Sequence, residues 1–190
     1  MPKYHAKLIK ICTMSKKADT IWLDEIDSTN EYVRRHIHEL DNLSVVAALS
    51  QTTGKGQGDH IWHSAPGKNL LFSILVKNPS VTAASQHIIS QSTATTVIEL
   101  LRAHHIEAWI KPPNDIWVEN KKICGILIEH SLRSNRISWT IIGVGLNVNQ
   151  TVFPEDLPNP TSMALEKKEI PLDTLLSEFM ERFTRLSWLQ

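Results

Sequence analysis

The chain has little cysteine, no net charge and no long apolar run, and each shortage removes a class of protein. Its 190 residues hold two cysteines, Cys12 and Cys124, far apart and in no metal-like pair. That spacing excludes a disulfide framework and argues for a reducing compartment. Twenty basic and twenty acidic side chains cancel to a formal charge of zero. No overall field therefore favours nucleic acid or an anionic membrane, and anion binding falls to local clusters. The N-terminus MPKYHAKLIKICTMSKK is basic, but its apolar run at 8–11 is too short for a secretory signal. No run approaches a membrane span, so the expectation is a cytoplasmic protein with neither membrane nor nucleic acid as partner. What remains is a chain with 42% hydrophobic residues, which suits one globular domain with its own core.

The densest chemistry lies in residues 111–129, KPPNDIWVENKKICGILIE. Trp109 and Ile110 end a short β-prone run, and Pro112-Pro113-Asn114-Asp115 cannot continue a ladder, because proline lacks the N–H and restricts its predecessor. Lys111 therefore ends a strand. Ile116-Trp117-Val118 resumes one, Glu119-Asn120-Lys121 supplies turn chemistry, and 123–128 runs back as an apolar strand. Such a hairpin brings Lys122 near Lys111, beside Asn114 and Asp115. Two ammonium groups in one region repel unless an anion sits between them, so a carboxylate or phosphate is the natural guest. Two solvated strand-end lysines are the plainer alternative. Cys124 followed by Gly125 in a β-branched strand marks the close approach of another backbone or a ligand.

Upstream, 21–23 reads as the first strand, and Asp27-Ser28-Thr29-Asn30-Glu31 carries the Ser-x-x-Glu spacing of a capping box, with a helix expected through Leu40. The helix start offers hydroxyls and N–H groups to a carbonyl or anion, or serves as a cap alone. Residues 45–49 read as a buried strand delivering Gln51 to Gly54-Lys55-Gly56-Gln57-Gly58-Asp59. Alternating glycines can fold their amides around a phosphate or form an ordinary hairpin loop; the pattern is neither a Walker loop nor a dinucleotide fingerprint. Trp62 offers a flat face to an aromatic ligand or a plug to the core. His60 and His63 lack a third ligand and are not read as a metal pair.

Residues 69–76 read as a strand, and 83–105 as one long helix with Ile88, Ile89, Val97, Ile98, Leu100 and Leu101 on one broad side. After a polar turn at 132–136, residues 137–149 form a strand antiparallel to 125–129, interrupted by Gly143 and Gly145, with Asn147 just beyond. The segment 153–160 is proline-rich and irregular, and 172–188 is an amphipathic helix.

Five of these blocks, in order, resemble the catalytic domain of biotin protein ligases over roughly 24–149. They are Asp27-Ser28-Thr29-Asn30, the glycine loop 51–62, Pro66-Gly67-Lys68-Asn69-Leu70, the hairpin 111–129 and Gly143-Val144-Gly145-Leu146-Asn147. The resemblance implies an α+β fold: a mixed, largely antiparallel sheet flanked by helices, as in class II aminoacyl-tRNA synthetases. Residues 1–20 would be an N-terminal extension and 21–190 the catalytic domain. The implied activity is ATP-dependent, AMP-forming attachment of biotin to a lysine of a biotin carboxyl carrier protein domain, with ATP and Mg²⁺ required. By the same resemblance Ser28, Thr29, Asn30, Gln51, Lys55, Gly56, Gln57, Lys122 and Gly125 bind biotin, while Trp62, Lys111, Asn114 and Asn147 hold the nucleotide. Asp115 partners Mg²⁺, and Lys122, Lys111 and Lys55 are the catalytic cations. Relatives also suggest a homodimer, formed at a strand edge near 137–148.

The chain departs from the family pattern in its loop. The usual Gly-Arg-Gly-Arg-x-Gly-Arg is replaced by a stretch with Lys55, Gln57, Gly58, Asp59 and His60, and lysine lacks the bidentate guanidinium fork. Looser retention of an adenylate is the expected result. Pro112 stands where tryptophan is usual. Neither the winged helix of regulatory members nor the small C-terminal β-barrel of most members is read in this chain. Lipoate ligases and octanoyltransferases share the fold and the lysine hairpin but usually carry Arg-Arg and a run of glycines at the loop. A non-catalytic biotin-binding module is the third reading.

Overall fold

The run LLFSILV at 70–76 carries no charge and is buried throughout, as a strand covered on both faces requires. The computed structural model describes residues 6–10 and 19–189. In chain order these form β1 (Ala6–Lys10), β2 (Asp19–Ile26), α1 (Thr29–Arg35), β3 (Val45–Gln51), β4 (Leu70–Lys77), α2 (His87–Ala103), β5 (Trp109–Lys111) and β6 (Asp115–Val118). There follow β7 (Lys121–Arg133), β8 (Arg136–Leu146), α3 (Met163–Glu166) and α4 (Leu172–Phe183). The strands make one eight-stranded sheet in the order β1-β2-β3-β4-β8-β7-β6-β5. Only β2 and β3 run parallel, joined through α1, so the sheet is mixed and largely antiparallel as expected.

The two faces of the sheet are covered differently. Helices α2 and α4 close one face over a continuous core that includes Phe72, Ile74, Leu100, Ile116, Ile123, Cys124 and Phe179. Helix α1 sits on the other face above β3, β4 and β8, over a smaller cluster of Leu23, Ile26, Val33, Val46, Ala48, Leu75 and Ile141. A hollow is left beside it. Among the described residues no helix is long and apolar enough to cross a membrane.

Several sequence expectations change. A strand precedes the expected first one, because Ala6–Lys10 pairs with β2; Cys12, by contrast, lies outside the described residues. The capping box does not form. The Ser28 N–H, which Glu31 would have taken, donates to Asp27 Oδ1 at 2.8 Å, and Glu31 turns instead to Lys55 and Arg34. Helix α1 then ends at Arg35, short of Leu40. The expected long helix splits into a 3₁₀ turn at Ala83–Ser85 and α2, with Ile88 exposed rather than buried. The polar turn at 132–136 shrinks to Ser134 and Asn135 because both flanking strands continue through it. Strand β8 lies between β4 and β7, so 137–148 offers no free edge for a second copy, and the outer strands of the described sheet are β1 and β5.

Candidate active site

Strand register sets the floor of the hollow. Lys111 lies opposite Asp115, Asp115 opposite Gly125 and Gly125 opposite Gly145, while Trp109, Trp117 and Lys122 form the neighbouring row. Lys122 and Gly125 are three residues apart and in a regular strand would point to opposite faces. The register shift between β6 and β7 pairs Ile116 with Cys124 and Trp117 with Lys122, leaving Ile123 as the extra residue. That bulge turns Lys122 and Gly125 to the hollow while Ile123 and Cys124 both enter the core. Burial there pushes the Cys124 thiol far up, so it stays protonated and inert.

The hollow is a cavity of about 470 Å³. Every residue singled out in the sequence lines it: Ser28, Thr29, Asn30 and Gln51; Lys55, Gly56, Gln57 and Trp62; Lys111, Asn114 and Asp115; Lys122, Gly125 and Asn147. The parallel pair explains the first group. With Ile26 opposite Gln51, β2 and β3 end together and deliver 28–30 and Gln51 to the same end of the sheet. The floor glycines have a steric reason that is neither another backbone nor a ligand. A Cβ on Gly125 or Gly145 would meet the Trp62 indole at 2.8 or 2.5 Å, and one on Gly143 would collide with Asn30 Oδ1.

Among the described residues three lysines and a single carboxylate line the cavity, so its local charge favours an anion although the chain is neutral. Each lysine already has a partner. The Lys111 Nζ sits 3.7 Å above the Trp117 ring, and the Lys122 Nζ is 2.7 Å from Asp115 Oδ1 and 5.5 Å from the Trp62 ring. The two ammonium groups expected to share one region do share it, kept tolerable by an aspartate of the chain itself. Lys55 is ion-paired with Glu31, and that ammonium holds the Glu31 carboxyl below the usual carboxylate range.

The glycine loop folds onto itself. The Gly56 N–H donates to His60 O at 2.7 Å and the Trp62 N–H to Gly54 O at 2.9 Å, with Gly58 in the left-handed region at the tip. Asn114 donates its Nδ2–H to Ile126 O at 2.8 Å. Asn147 donates its Nδ2–H to Thr161 O at 3.0 Å, while its buried Oδ1 has no partner, as do the buried Nε1 atoms of Trp62 and Trp117. Orphaned polar atoms of this kind point to a ligand that carries complementary groups.

Sequence reasoning missed two parts of the wall. Trp117 was read only as a strand residue, yet it carries Lys111 on its face. Phe153, Leu157, Pro158 and Pro160 line the cavity from a segment read as irregular. That segment runs beside Lys122, whose N–H donates to Asn159 O at 2.7 Å and whose carbonyl accepts from the Thr161 N–H at 2.9 Å. The one available signal was two large apolar side chains inside a proline-rich stretch.

Residues 22–147 match the family model described as the biotin/lipoate A/B protein ligase family. The bifunctional ligase/repressor BirA of Bacillus spizizenii is 34% identical over 145 residues, 72% of this chain and 43% of that protein. BirA of Escherichia coli K12 is 30% identical over 154 residues, covering 80% and 47%. The structure of the Aquifex aeolicus biotin protein ligase in complex with biotin and ATP superposes with a TM-score of 0.73 at 27% identity, covering 87% of this chain and 68% of that one. The chain thus spans a little under half the length of these curated relatives.

Proposed function

Because the chain belongs to the biotin/lipoate A/B protein ligase family, we propose that it is a biotin protein ligase, with residues 21–190 as its catalytic domain. It activates biotin with ATP and passes it to a lysine of a biotin carboxyl carrier protein in the cytoplasm. The observation that carries this reading is one cavity with an uncharged polar wall at 28–30 and Gln51 and, across a glycine floor, two lysines held apart by different partners. A ring with a carboxylate tail suits the first, and a nucleotide's phosphates suit the second. The BirA relatives and the Aquifex ligase bound to biotin and ATP support biotin over lipoate.

In this mechanism a biotin carboxylate oxygen attacks the α-phosphorus of ATP, the bond to pyrophosphate breaks, and biotinyl-AMP forms. The neutral amine of the carrier lysine then attacks the acyl carbon, the C–O bond to AMP breaks, AMP leaves with the bond's electrons, the nitrogen gives up a proton to solvent, and an amide results. Lys122, exchanging Asp115 for the incoming anion, draws the carboxylate and α-phosphate together, and Lys111 faces the departing phosphates. Asn114, Asn147 and Trp62 hold the nucleotide, the orphaned Asn147 Oδ1 accepting from it. Asp115, the one carboxylate lining the cavity among the described residues, would hold the Mg²⁺ of MgATP, and the ion would offset phosphate charge there. The glycine loop closes over the anhydride and keeps water out. Its sparse positive charge, with Lys55 engaged by Glu31, favours early release of the adenylate. Self-association by strand addition would use β5 rather than β8.

Mass spectrometry of a carrier domain incubated with the chain, biotin and MgATP tests the reading. A biotin-sized mass gain on one lysine is expected. No gain, or an equal gain with lipoate in place of biotin, would refute it.

A further inference from the structure

We propose that Ser73 and Glu129, neither of which lines the cavity, are positioning residues that fix which hydrogen-bond donors and acceptors the pocket wall shows to the ring of its ligand. The inference deepens the biotin reading and rests on it. Its basis is one connected set of contacts. The Thr29 N–H donates to Gln51 Oε1 at 2.7 Å, and the Thr29 Oγ1 lies 3.1 Å from the same oxygen. The Ser73 Oγ lies 2.7 Å from Thr29 Oγ1 and 2.6 Å from Asn30 Oδ1. Asn30 Nδ2 donates to Glu129 Oε2 at 2.9 Å and reaches Leu127 O at 3.5 Å, and Arg34 holds the other oxygen of that carboxylate.

Counting protons orders this set. Glu129 only accepts, so the Asn30 amide must turn its Nδ2 toward it and its Oδ1 toward Ser73. Three oxygen–oxygen contacts then share the protons of two hydroxyls. Asn30 Oδ1 has no proton to give, so Ser73 donates to it and Thr29 donates to Ser73. The contact left without a proton is the longest, 3.1 Å, and its acceptor is already served by the Thr29 amide. The consequence reaches the cavity: Thr29 shows only a lone pair, and Gln51, with Oε1 turned inward, shows its Nε2–H as a donor. An acceptor beside a donor is the complement of an N–H next to a C=O, the edge of a cyclic urea. Ser73 is the only polar side chain between Leu70 and Val76, is fully buried, and among the described residues its hydroxyl meets only Thr29 and Asn30.

The test compares biotin with an analogue in which a ring oxygen replaces one ureido N–H, using pyrophosphate exchange by the full chain. Ser73→Ala should raise the KM for biotin roughly ten-fold or more, the loss of one buried hydrogen-bond donor, with the KM for ATP within about two-fold. Glu129→Gln keeps one carbonyl for the two donors that the carboxylate serves, Asn30 Nδ2 and Arg34, so its preference should fall between wild type and Glu129→Ala. Glu129→Ala leaves Asn30 Nδ2 only its long contact to Leu127 O at 3.5 Å; the amide then flips, which reverses the relay and makes Thr29 a donor, so the preference for biotin over the oxygen analogue should shrink about ten-fold. Equal preference in Glu129→Ala and wild type overturns the proposal, as does a parallel rise of both KM values in Ser73→Ala. A ligand-free arm keeps it testable should biotin not bind at all. In the NMR spectrum of the free protein, the Asn30 side-chain amide should exchange slowly and shift in Glu129→Ala, and an unmoved signal overturns the proposal independently of the biotin reading.

Discussion

Strands β7 and β8 have two faces, and the same residues obey opposite rules on each. Toward α2 and α4 they present Ile123, Cys124, Ile126 and Ile142, each at most 3% exposed. Toward α1 and the glycine loop they present Gly125, Gly143 and Gly145, with Ser73 of β4 next in register after Gly143. One face is filled and one is hollowed. The filled face supplies stability by apolar burial, and the hollowed face uses that stiffness to hold polar groups at fixed separations. The lesson is that the bulge at Ile123, more than any single motif, divides the two, because it sorts Lys122 and Gly125 from Ile123 and Cys124.

The division breaks most sharply at Lys122. Lys122→Ala should lower biotin-dependent pyrophosphate exchange by roughly 10³-fold, a loss on the scale of one preorganised charge-stabilising group, with little change in the unfolding midpoint. The mirror experiment is Phe179→Ala on the filled face, where Phe179 packs edge-on against Phe72 at 5.0 Å. It should cost about 3–5 kcal/mol in denaturant unfolding, while enzyme that stays folded keeps its KM for ATP. Gly145→Ala probes the boundary. Its Cβ would lie 2.5 Å from the Trp62 indole, so a loss of about 1–3 kcal/mol is expected together with a raised KM for ATP. Smallest is Glu31→Gln, which frees Lys55 and should cost under about 1 kcal/mol, as exposed ion pairs do. Because Lys55 lowers the Glu31 pKa in the folded state, that pair's contribution is present above the ordinary glutamate pKa and fades as pH falls through the lowered one. An acid titration of stability should therefore show wild type and Glu31→Gln converging at low pH.

Much of the hollowed face was legible in the sequence. Pro112 and Pro113 mark the end of β5, Glu119 takes the left-handed turn position, and the seven glycines fall at 54, 56, 58, 67, 125, 143 and 145, six of them in the loop and floor of the cavity. What stayed hidden depends on pairings distant in sequence. The bulge exists only because Trp117 pairs with Lys122, and strand order alone removed the expected edge at 137–148. The capping box failed because Asp27, clamped by Arg35 at 2.6 and 2.8 Å, reached the Ser28 N–H first. Ser73 left one trace, a lone hydroxyl in an apolar run, which reads equally as a tolerated core serine.

The most direct test is a crystal structure of the chain with a non-hydrolysable biotinyl-adenylate analogue. The account predicts the Lys122 ammonium withdrawn from Asp115 onto the acyl-phosphate, Lys111 on the phosphate side of the same ligand, and the ring against Thr29 and Gln51. A bound ligand with both amines turned into bulk solvent would contradict it.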